Sequence, residues 1–314
     1  MNQEKIKPII KGMIKHIPGV KSLIRKGTGG TSESRYCYSV WFRHLKSWHA
    51  VYDKLPESAA ELGPGDSLGI GLSALLSGVN QIHFLDVVKY WDGKRNLQIF
   101  EELVTLFKSR ADIPDNNEYP EITPFLEDYS FPSSILTDDI LENSLSETRL
   151  NLIRKELLDM DNPNNSFIKY QIPWFDLHVV KHNSLDFIYS QAVLEHVEEL
   201  ENTYDAMSKW LKSDGLMSHS IDFRSHGSIP TWNGHWTYSD MEWHIVKGGK
   251  SFLINRQPHS KHVEMNLKHG FKIIEDKPVK LENKLSKNQL SKKFKNLSED
   301  DLSTSTAYIL SKKM

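Results

Sequence analysis

Several features that would mark a class of protein are missing from this 314-residue sequence. Cys37 is the only cysteine, so no disulfide can form within the chain, and a reducing compartment is expected. The formal net charge is −2, which gives no overall basic character for nucleic-acid binding. No apolar run is long enough to span a bilayer, and the N-terminus lacks the apolar core of a signal peptide. These absences favour a cytoplasmic protein with no nucleic-acid partner.

The residues that are present have an ordinary globular composition, 39% hydrophobic and 25% charged, which is ample for one large core. The stretch around residues 56–90 organises the chain as a strand, a glycine loop, a helix and a second strand. Leucines at helical spacing indicate the helix, and the second strand is almost wholly apolar, as in a parallel sheet covered on both faces. The predicted bounds are Ser58–Leu62 for the first strand, Gly63–Ser67 for the loop, Leu68–Ser77 for the helix and Gln81–Val88 for the second strand.

This unit has the chemistry of a nucleoside-binding site. Glycine lets the backbone approach a ligand closely, and the helix after the loop presents unpaired N–H groups, with Ser67 as its N-cap and Gly78 as its stop. Asp86 follows Gly65 by 21 residues, the place from which an acid accepts both hydroxyls of a ribose. Leu68 stands where a dinucleotide fingerprint has its third glycine, which disfavours a nicotinamide-dependent oxidoreductase.

A second stretch, residues 184–215, holds a later strand, loop and helix. It predicts a strand at Leu185–Ser190, a loop at Gln191–Val197 and an amphipathic helix that Gly215 closes. The next strand is predicted at Leu216–Phe223.

The two stretches together resemble a known superfamily. The loop ELGPG at residues 61–65 resembles motif I of the class I S-adenosylmethionine-dependent methyltransferases, and residues 184–215 resemble the corresponding later region of their small-molecule branch. The resemblance covers roughly Ser58–Ser311. It implies an α/β fold, a Rossmann-like and mostly parallel seven-stranded sheet with helices on both faces. It also implies S-adenosylmethionine as the cosubstrate and an antiparallel last strand at the sheet edge, here Thr306–Ser311.

The resemblance assigns residues to the cosubstrate. The acid before the glycines, here Glu61, helps to hold the methionine portion, and the acid after the second strand, here Asp86, holds the ribose. No acid stands near the end of the third strand, predicted at Phe167–Ile172, so a backbone contact near Ile172 is expected for the adenine. The residues expected to bind the cosubstrate are Glu61, Gly63, Pro64, Gly65, Asp66, Ser67, Asp86, Val87, Ile172, Ser190 and Gln191.

The catalytic residues are expected at the ends of the fourth and fifth strands. Methyl transfer is an in-line displacement, and a hydroxyl acceptor benefits from a proton acceptor beside the methyl group. Histidine suits that task near neutrality. His226 is the first candidate, oriented by Asp222 if the chain turns between them, and His196 is the second. His219 is also considered, and each of these histidines has an alternative, purely structural interpretation.

Metal dependence is weighed and not expected. Some relatives hold a divalent cation with a Glu-x-x-Glu-His cluster after the fourth strand, but Ala192 replaces the first acid here. Glu195 and His196 are left, with possible help from Asp222 or His226, and two ligands make a poor site.

The chain is predicted to hold an N-terminal helical extension at residues 1–57 and a catalytic domain at residues 58–314, with a helical cap inserted at about residues 91–166. The first helix has isoleucines on one face and lysines on the other, which fits a membrane surface or packing on its own domain, and packing is favoured. A lysine-rich helical insertion is predicted at Leu281–Leu297.

Residues 28–48 carry two open interpretations. Glycines precede a stretch dense in aromatic residues and arginines. The segment forms either a lid, with Arg35 or Arg43 holding an anionic group, or a core helix with arginines at its edge.

The acceptor is predicted from the Trp- and His-rich stretch Arg224–Gly249. Such a loop at the open end of a sheet suits a small polar acceptor with a carbon skeleton, and a hydroxyl of a sugar or glycan precursor is predicted. The alternative is a satellite hydrophobic cluster under the loop. Rival functions are a nicotinamide-dependent oxidoreductase and a non-catalytic scaffold that keeps the nucleotide-binding fold. The oligomeric state is left open.

Overall fold

The computed structural model describes Lys5, Pro8 and residues 30–87, 92–174, 177–248 and 253–314. The strands are β1 Ser58–Leu62, β2 Gln81–Leu85, β3 Ile168–Gln171, β4 Leu185–Gln191, β5 Leu211–Asp222, β6 Phe271–Lys280 and β7 Thr304–Lys313. The α-helices are α1 Ser34–His49, α2 Gly69–Leu76, α3 Gly93–Lys108, α4 Asp138–Ser144, α5 Glu147–Leu158, α6 Leu200–Trp210, α7 Asp240–Lys247, α8 His259–Lys268 and α9 Glu299–Ser303. The predicted first helix of the chain lies outside the described residues. None of the described helices combines the length and apolarity needed to cross a membrane.

The described strands form one seven-stranded sheet in the order β3-β2-β1-β4-β5-β7-β6. Strands β1 to β5 are parallel, and β7 runs antiparallel to both β5 and β6. The predicted mostly parallel sheet is confirmed, but the prediction that the last strand lies at the sheet edge is wrong. Strand β7 lies between β5 and β6 because it is largely buried, whereas most of β6 is exposed and suits the edge.

The strand register brings the two parts of the predicted nucleoside site together. Leu62 of β1 pairs with Leu85 of β2, and the N–H of Gly63 donates to the carbonyl of Leu85 at 2.8 Å. Gly63 and Asp86 therefore leave neighbouring parallel strands side by side. On its other side β1 pairs with β4, so the strand order reverses between β1 and β4, where ligands bind in open α/β sheets.

Helices cover both faces of the sheet. On one face α1, α2, α3 and α5 pack in one apolar cluster that includes Trp41, Phe84 and Phe100. On the other face α6 and α8 pack in a second cluster that includes Trp210 and Met265.

The stretch predicted as a helical cap has two different parts. Helices α3 and α5 pack in the layer on the sheet face, as their apolar spacing requires, and they contribute Phe107 and Ile153 to its core. Residues 109–137 between α3 and α4 form no regular helix or strand. There the hydroxyl of Thr123 bonds the hydroxyl of Ser220 near the end of β5, so this loop is the part that reaches the candidate site.

Three predicted elements differ in the structure. Helix α6 ends at Trp210, because Leu211 already pairs with Leu185 of β4, and Gly215 therefore lies within β5. The predicted helix at Leu281–Leu297 is wrong. Two short 3-10 turns stand there, because the apolar side chains of the segment anchor it around buried Trp236 instead of lining one helix face. Helix α7 lies inside the stretch predicted as a loop.

Candidate active site

The glycine loop after β1 packs directly under the loop after β4. Gly63 and Gly65 have φ values of +60° and +74°, in the left-handed region that favours glycine. A Cβ on Gly63 would stand 2.8 Å from both methyl carbons of Val193. The close approach of these two loops defines a cleft at the carboxyl edge of β1 and β4.

Glu61 lies beneath this cleft and caps the start of α2. It is 2% exposed, and its Oε2 accepts the N–H of Gly71 at 2.9 Å. Burial raises the pKa of Glu61 to about 8, although the Gly71 N–H opposes the rise. A Cβ on Gly71 would stand 2.3 Å from Cε1 of Phe84, so the sequence needs glycine for this packing.

The other residues predicted to bind the cosubstrate lie along the same edge. Asp86 is 6% exposed directly after β2, and its Oδ1 accepts the N–H of Val87 at 2.6 Å. Ile172 follows the end of β3 and is half-buried. At the end of β4 the hydroxyl of Ser190 bonds Nδ1 of His219 inside the sheet at 2.8 Å, and Gln191 donates to the hydroxyl of Ser220.

A cluster of acids and histidines forms where the loops after β4 and β5 meet. The 3-10 turn Leu194–His196 buries Glu195 and places Nε2 of His196 3.9 Å from its Oε1. From the other loop, Nε2 of His226 lies 3.3 Å from Oδ2 of Asp222, and the rings of His196 and His226 are 5.0 Å apart at 73°.

The turn that the sequence required between Asp222 and His226 is present. His226 and Gly227 have φ values of +47° and +69°, and the N–H of Ser228 donates to the carbonyl of Ser225 at 2.9 Å. A non-glycine residue is strained in this region, and such strain is concentrated at functional sites. The tight turn folds the imidazole back onto the carboxylate that ends β5.

The pKa values of the two carboxyl groups of the cluster, Asp222 and Glu195, are shifted in opposite directions. Burial raises the pKa of Asp222, but hydrogen bonds from His226 and Arg224 outweigh it, and its pKa lies well below the usual range. Burial raises the pKa of Glu195 far above its usual range, and the nearby backbone N–H groups of Glu195 and Asp222 only oppose this rise. Among the described residues, no donor forms a hydrogen bond of normal geometry with either oxygen of the Glu195 carboxyl.

Two further residues, Asn255 and Arg224, brace this cluster. Asn255 donates to the carbonyls of Leu194, Glu195 and Val197 at 2.6–2.8 Å and so fixes the 3-10 turn. Arg224 forms ion pairs with Asp222 at 2.6 Å and with Glu121 of the 109–137 loop at 2.8 Å. Sequence reasoning missed Asn255, because nothing local marks a residue that acts 60 positions away.

A family comparison agrees with this fold and cleft. Residues 128–218 match the family described as "Methyltransferase domain", a segment that includes β3, β4, the His196 loop and part of β5. The match assigns residues 128–218 to that methyltransferase family. The matched segment does not reach the glycine loop, so the features of that loop are independent of it.

Solved structures of methyltransferases resemble the chain only distantly. An S-adenosylmethionine-dependent methyltransferase from Mesorhizobium loti is 12% identical, covers 86% of this chain and 98% of that chain, and gives a TM-score of 0.43. A second such methyltransferase, from Methanosarcina mazei, is 11% identical. The match covers 85% of this chain and 97% of that chain, with a TM-score of 0.45. Phosphoethanolamine N-methyltransferase 2 from Haemonchus contortus in complex with S-adenosyl-L-methionine is 12% identical. The match covers 89% of this chain and 56% of that chain, with a TM-score of 0.43. No curated protein matches the chain in sequence.

The cleft fits a cosubstrate without phosphates. Protein oxygens already accept the N–H groups of Asp66, Leu68, Gly69 and Gly71 around the start of α2. A dinucleotide needs such N–H groups for its pyrophosphate. S-Adenosylmethionine carries a sulfonium and no phosphate, so it does not compete for them, and the acid Glu61 under the loop suits a positively charged ligand.

The start of α2 differs slightly from its prediction. The helix begins at Gly69, with Leu68 at the N-cap position. Ser67 still accepts the N–H of Gly69 at 3.2 Å, but its hydroxyl also bonds the carbonyl of Thr31, which precedes α1. Gly78, at φ +102°, ends the helix as predicted.

Several sequence hypotheses about the candidate site are corrected by burial. His219 lies inside β5 at 1% exposure, and burial lowers its pKa to about 3, so it is no candidate base. The aromatic residues Trp236, Tyr238 and Trp243 are buried in satellite clusters and do not line an open loop. The competing interpretation, a hydrophobic cluster under the loop, is therefore the observed one for them.

The segment with two open interpretations, a lid or a core helix, has the burial of a core helix. In α1, Tyr38, Trp41 and Phe42 are fully buried. Arg43 is also fully buried and donates to the carbonyls of Ile122 and Pro124, both at 2.8 Å, so it is not available to a substrate. Exposed Arg35 forms a bidentate ion pair with Glu118.

Proposed function

We propose that the methyl acceptor is a hydroxyl group of a small polar molecule, bound where the loops after β4 and β5 meet. The observation that supports this most directly is the histidine–carboxylate pair at this edge, with Nε2 of His226 3.3 Å from Asp222. The pair lies in the loops beside the cleft, since Val193 of the His196 loop packs on Gly63. A proton acceptor is thus positioned next to the proposed cosubstrate site.

His226 is proposed as the group that takes the hydroxyl proton. Asp222 is ionised and can only accept hydrogen bonds, so the contact requires the proton of neutral His226 to be on Nε2. Nδ1 then carries the free lone pair. S-Adenosylmethionine supplies an electrophilic methyl group, and the protein must align the acceptor oxygen with it and receive the proton. His196 is the second candidate for this role.

The cosubstrate is proposed to bind along the edge formed by the ends of β1, β2 and β4. Asp86 would accept the ribose hydroxyls, and the backbone of Gly63–Ser67 would lie against the methionine portion. Glu61 is buried under α2, and a sulfonium bound above the loop would favour its ionised form. Backbone near Ile172 would contact the adenine.

Within hydroxyl acceptors, a sugar or glycan precursor is the proposed class. Support comes from Trp232, which is half-buried and whose carbonyl accepts the N–H of Ser225 in the turn that carries His226. A partly exposed indole at this place can pack on the carbon face of a sugar. The other aromatic side chains of the segment are buried and add no support.

A methyl-transfer screen tests the acceptor class. Transfer of a labelled methyl group from S-adenosylmethionine is measured over nucleotide sugars, free polyols, small amines and small thiols. Transfer to hydroxyl compounds is expected, and transfer only to amines or thiols would contradict the proposal.

Variants then test the proton acceptor. His226→Ala should lower turnover by at least ~10²-fold, the contribution typical of a base, with little change in affinity for S-adenosylhomocysteine. His182→Ala is the matched control, because His182 is exposed and is not part of the cluster of acids and histidines. This variant should keep full turnover. Full turnover in His226→Ala with loss in His196→Ala would move the role to His196, and full turnover in both would contradict base catalysis.

A further inference from the structure

The loops after β4 and β5 bring three side chains of metal-binding type together. One ligand atom from each of Glu195, His196 and His226 lies within 4.8 Å of the others. Glu195 and His196 are neighbours in the sequence, and the turn after β5 brings in the third ligand, His226. The reason for expecting no metal, a site with two ligands, therefore does not hold in the folded chain.

We propose that Glu195, His196 and His226 bind a divalent transition-metal ion, whose remaining coordination positions take the acceptor's hydroxyl oxygens. The proposal rests on the function proposed above, since it assigns a hydroxyl acceptor to the same cluster. It concerns this chain's own residues and is independent of which sugar or polyol is methylated.

The strongest indication is the state of the Glu195 carboxyl. Its side chain is 3% exposed, and within the described part of the chain neither oxygen has a hydrogen-bond partner of normal geometry. A buried polar group is nearly always satisfied, and an exception calls for an explanation such as an ion. A cation between Glu195 and the two imidazoles would give this carboxylate its partner.

The surroundings already have the arrangement found behind metal ligands. A ligating histidine usually donates its other ring N–H to a carboxylate, which fixes the ring and its tautomer. Nε2 of His226 donates its N–H to Asp222 at 3.3 Å. Nδ1 of His226 then keeps the lone pair that a metal needs. Asn255 fixes the backbone that carries Glu195 and His196.

The donor set selects the kind of ion. Two imidazole nitrogens and one carboxylate suit zinc, cobalt, iron or manganese better than magnesium or calcium, which prefer oxygen ligands. Three protein ligands leave positions open, as in catalytic zinc sites. Ligand atoms at a bound ion stand about 2.0–2.2 Å from it, so the three side chains would move slightly inward on binding.

An ion here changes how the hydroxyl proton is lost. Coordination of the acceptor lowers the pKa of its hydroxyl, and the proton leaves to solvent. The acceptor oxygen then forms a bond to the methyl carbon, and the sulfur keeps the electron pair of the broken C–S bond. With the ion bound, the lone pair on His226 would hold the ion, so the base role proposed for His226 would apply only to the metal-free protein.

Metal titration of the full chain tests this directly. Protein stripped with a chelator is titrated with Co²⁺, Mn²⁺, Zn²⁺ and Mg²⁺ by calorimetry, and the visible absorption of Co²⁺ reports nitrogen ligation. One Co²⁺ per chain should bind, with Mg²⁺ much weaker. Glu195→Gln and His196→Ala should abolish the cobalt spectrum, while His182→Ala should keep it. Thermal unfolding of each variant checks that it is folded.

A conservative change behind the ligands adds a second readout. Asp222→Asn keeps the shape but weakens the partner of His226, and it should lower metal affinity by about 10–100-fold. Equal affinity in Asp222→Asn and the parent protein would contradict the proposed arrangement around His226.

The outcomes separate this proposal from the proposed function. Cobalt binding that needs Glu195 and His196 supports the metal site even if the acceptor screen fails. Stripped protein that methylates hydroxyl compounds at full rate, and binds no cobalt, would overturn the metal site while the hydroxyl acceptor stands.

Discussion

At the scale of single residues, Gly63 shows how one position serves both backbone and packing. It adopts a left-handed φ of +60°, and its missing Cβ makes room for Val193. A residue with a Cβ would be strained at this φ and would also overlap Val193. The position therefore links the loop proposed to meet the cosubstrate with the loop that carries the catalytic candidates.

We expect Gly63→Ala to destabilise the protein by about 2–4 kcal/mol, the sum of left-handed strain and overlap with Val193. Gly270→Ala is the matched control, because Gly270 has φ +81° but nothing lies within 4 Å of its added Cβ. It should cost only about 1–2 kcal/mol. Urea unfolding measures the free energy of unfolding of both variants. Equal losses of stability would show that the Val193 side chain moves aside at no cost in free energy.

Asp86 is the residue at which cosubstrate binding can be tested most simply. Removal of a carboxylate that accepts ribose hydroxyls should weaken S-adenosylhomocysteine binding by about 1–3 kcal/mol in Asp86→Ala. Asp86→Asn, which keeps one acceptor oxygen, should lose less. Calorimetry on folded variants measures both, and unchanged affinity in Asp86→Ala would remove Asp86 from the site.

Glu61 predicts a pH dependence of stability. Its folded pKa is about 8, above that of an unfolded glutamate near 4.5, so the folded state binds the proton more tightly. This contribution is complete below the unfolded pKa and is lost as the pH rises to about 8. Within that window the slope is at most about 1.4 kcal/mol per pH unit.

Glu61→Gln isolates this effect, since the amide oxygen can still accept the Gly71 N–H and carries no charge. Measured without cosubstrate, the stability of the variant relative to the parent should increase from pH 5 to pH 8 and then level off. A constant difference over that range would mean that Glu61 has a normal pKa.

At the scale of elements, α1 is part of the core. Its aromatic side chains pack on α2 and α3, and its buried Arg43 binds the carbonyls of the 109–137 loop. Burial of a guanidinium requires such partners, so α1 and this loop hold each other in place.

We expect the central amides of α1 to exchange hydrogen at the rate of global unfolding, both with and without S-adenosylhomocysteine. Buried core helices open only with the whole domain. The exposed 3-10 turns at residues 287–294 serve as the internal comparison and should exchange faster. Slowing in α1 on ligand binding, beyond the general stabilisation, would restore the lid hypothesis.

At the scale of the whole molecule, the sheet needs helices on both faces. Residues 30–57 supply α1, whose side chains pack in the same apolar cluster as α2 and α3. The predicted division into an extension and a catalytic domain is therefore a matter for experiment.

A variant that lacks residues 1–57 should lose cooperative unfolding, because Tyr38, Trp41 and Phe42 leave a large void in the core. Addition of a separate peptide of residues 30–57 should restore part of the cooperative transition. A stable, cooperative fragment 58–314 would show that α1 is dispensable.

The sequence by itself determined the local units. The strand, glycine loop, helix and strand around Gly63 and Asp86 were predictable, because periodicity and glycine placement act within about 30 residues. The turn that returns His226 to Asp222 was anticipated from its glycine and polar residues for the same reason. Parallel strands then place their ends at one edge without further information.

Only the tertiary structure decided which distant groups meet. Strand β7 takes the inner place because it is the more buried of the last two strands, and Arg43 turns inward because a loop 80 residues away offers carbonyls. The approach of His196 to His226, and the burial of Glu195 without a hydrogen-bond partner among the described residues, arise between loops that are 30 residues apart. Such contacts depend on packing of the whole sheet, which no local pattern encodes.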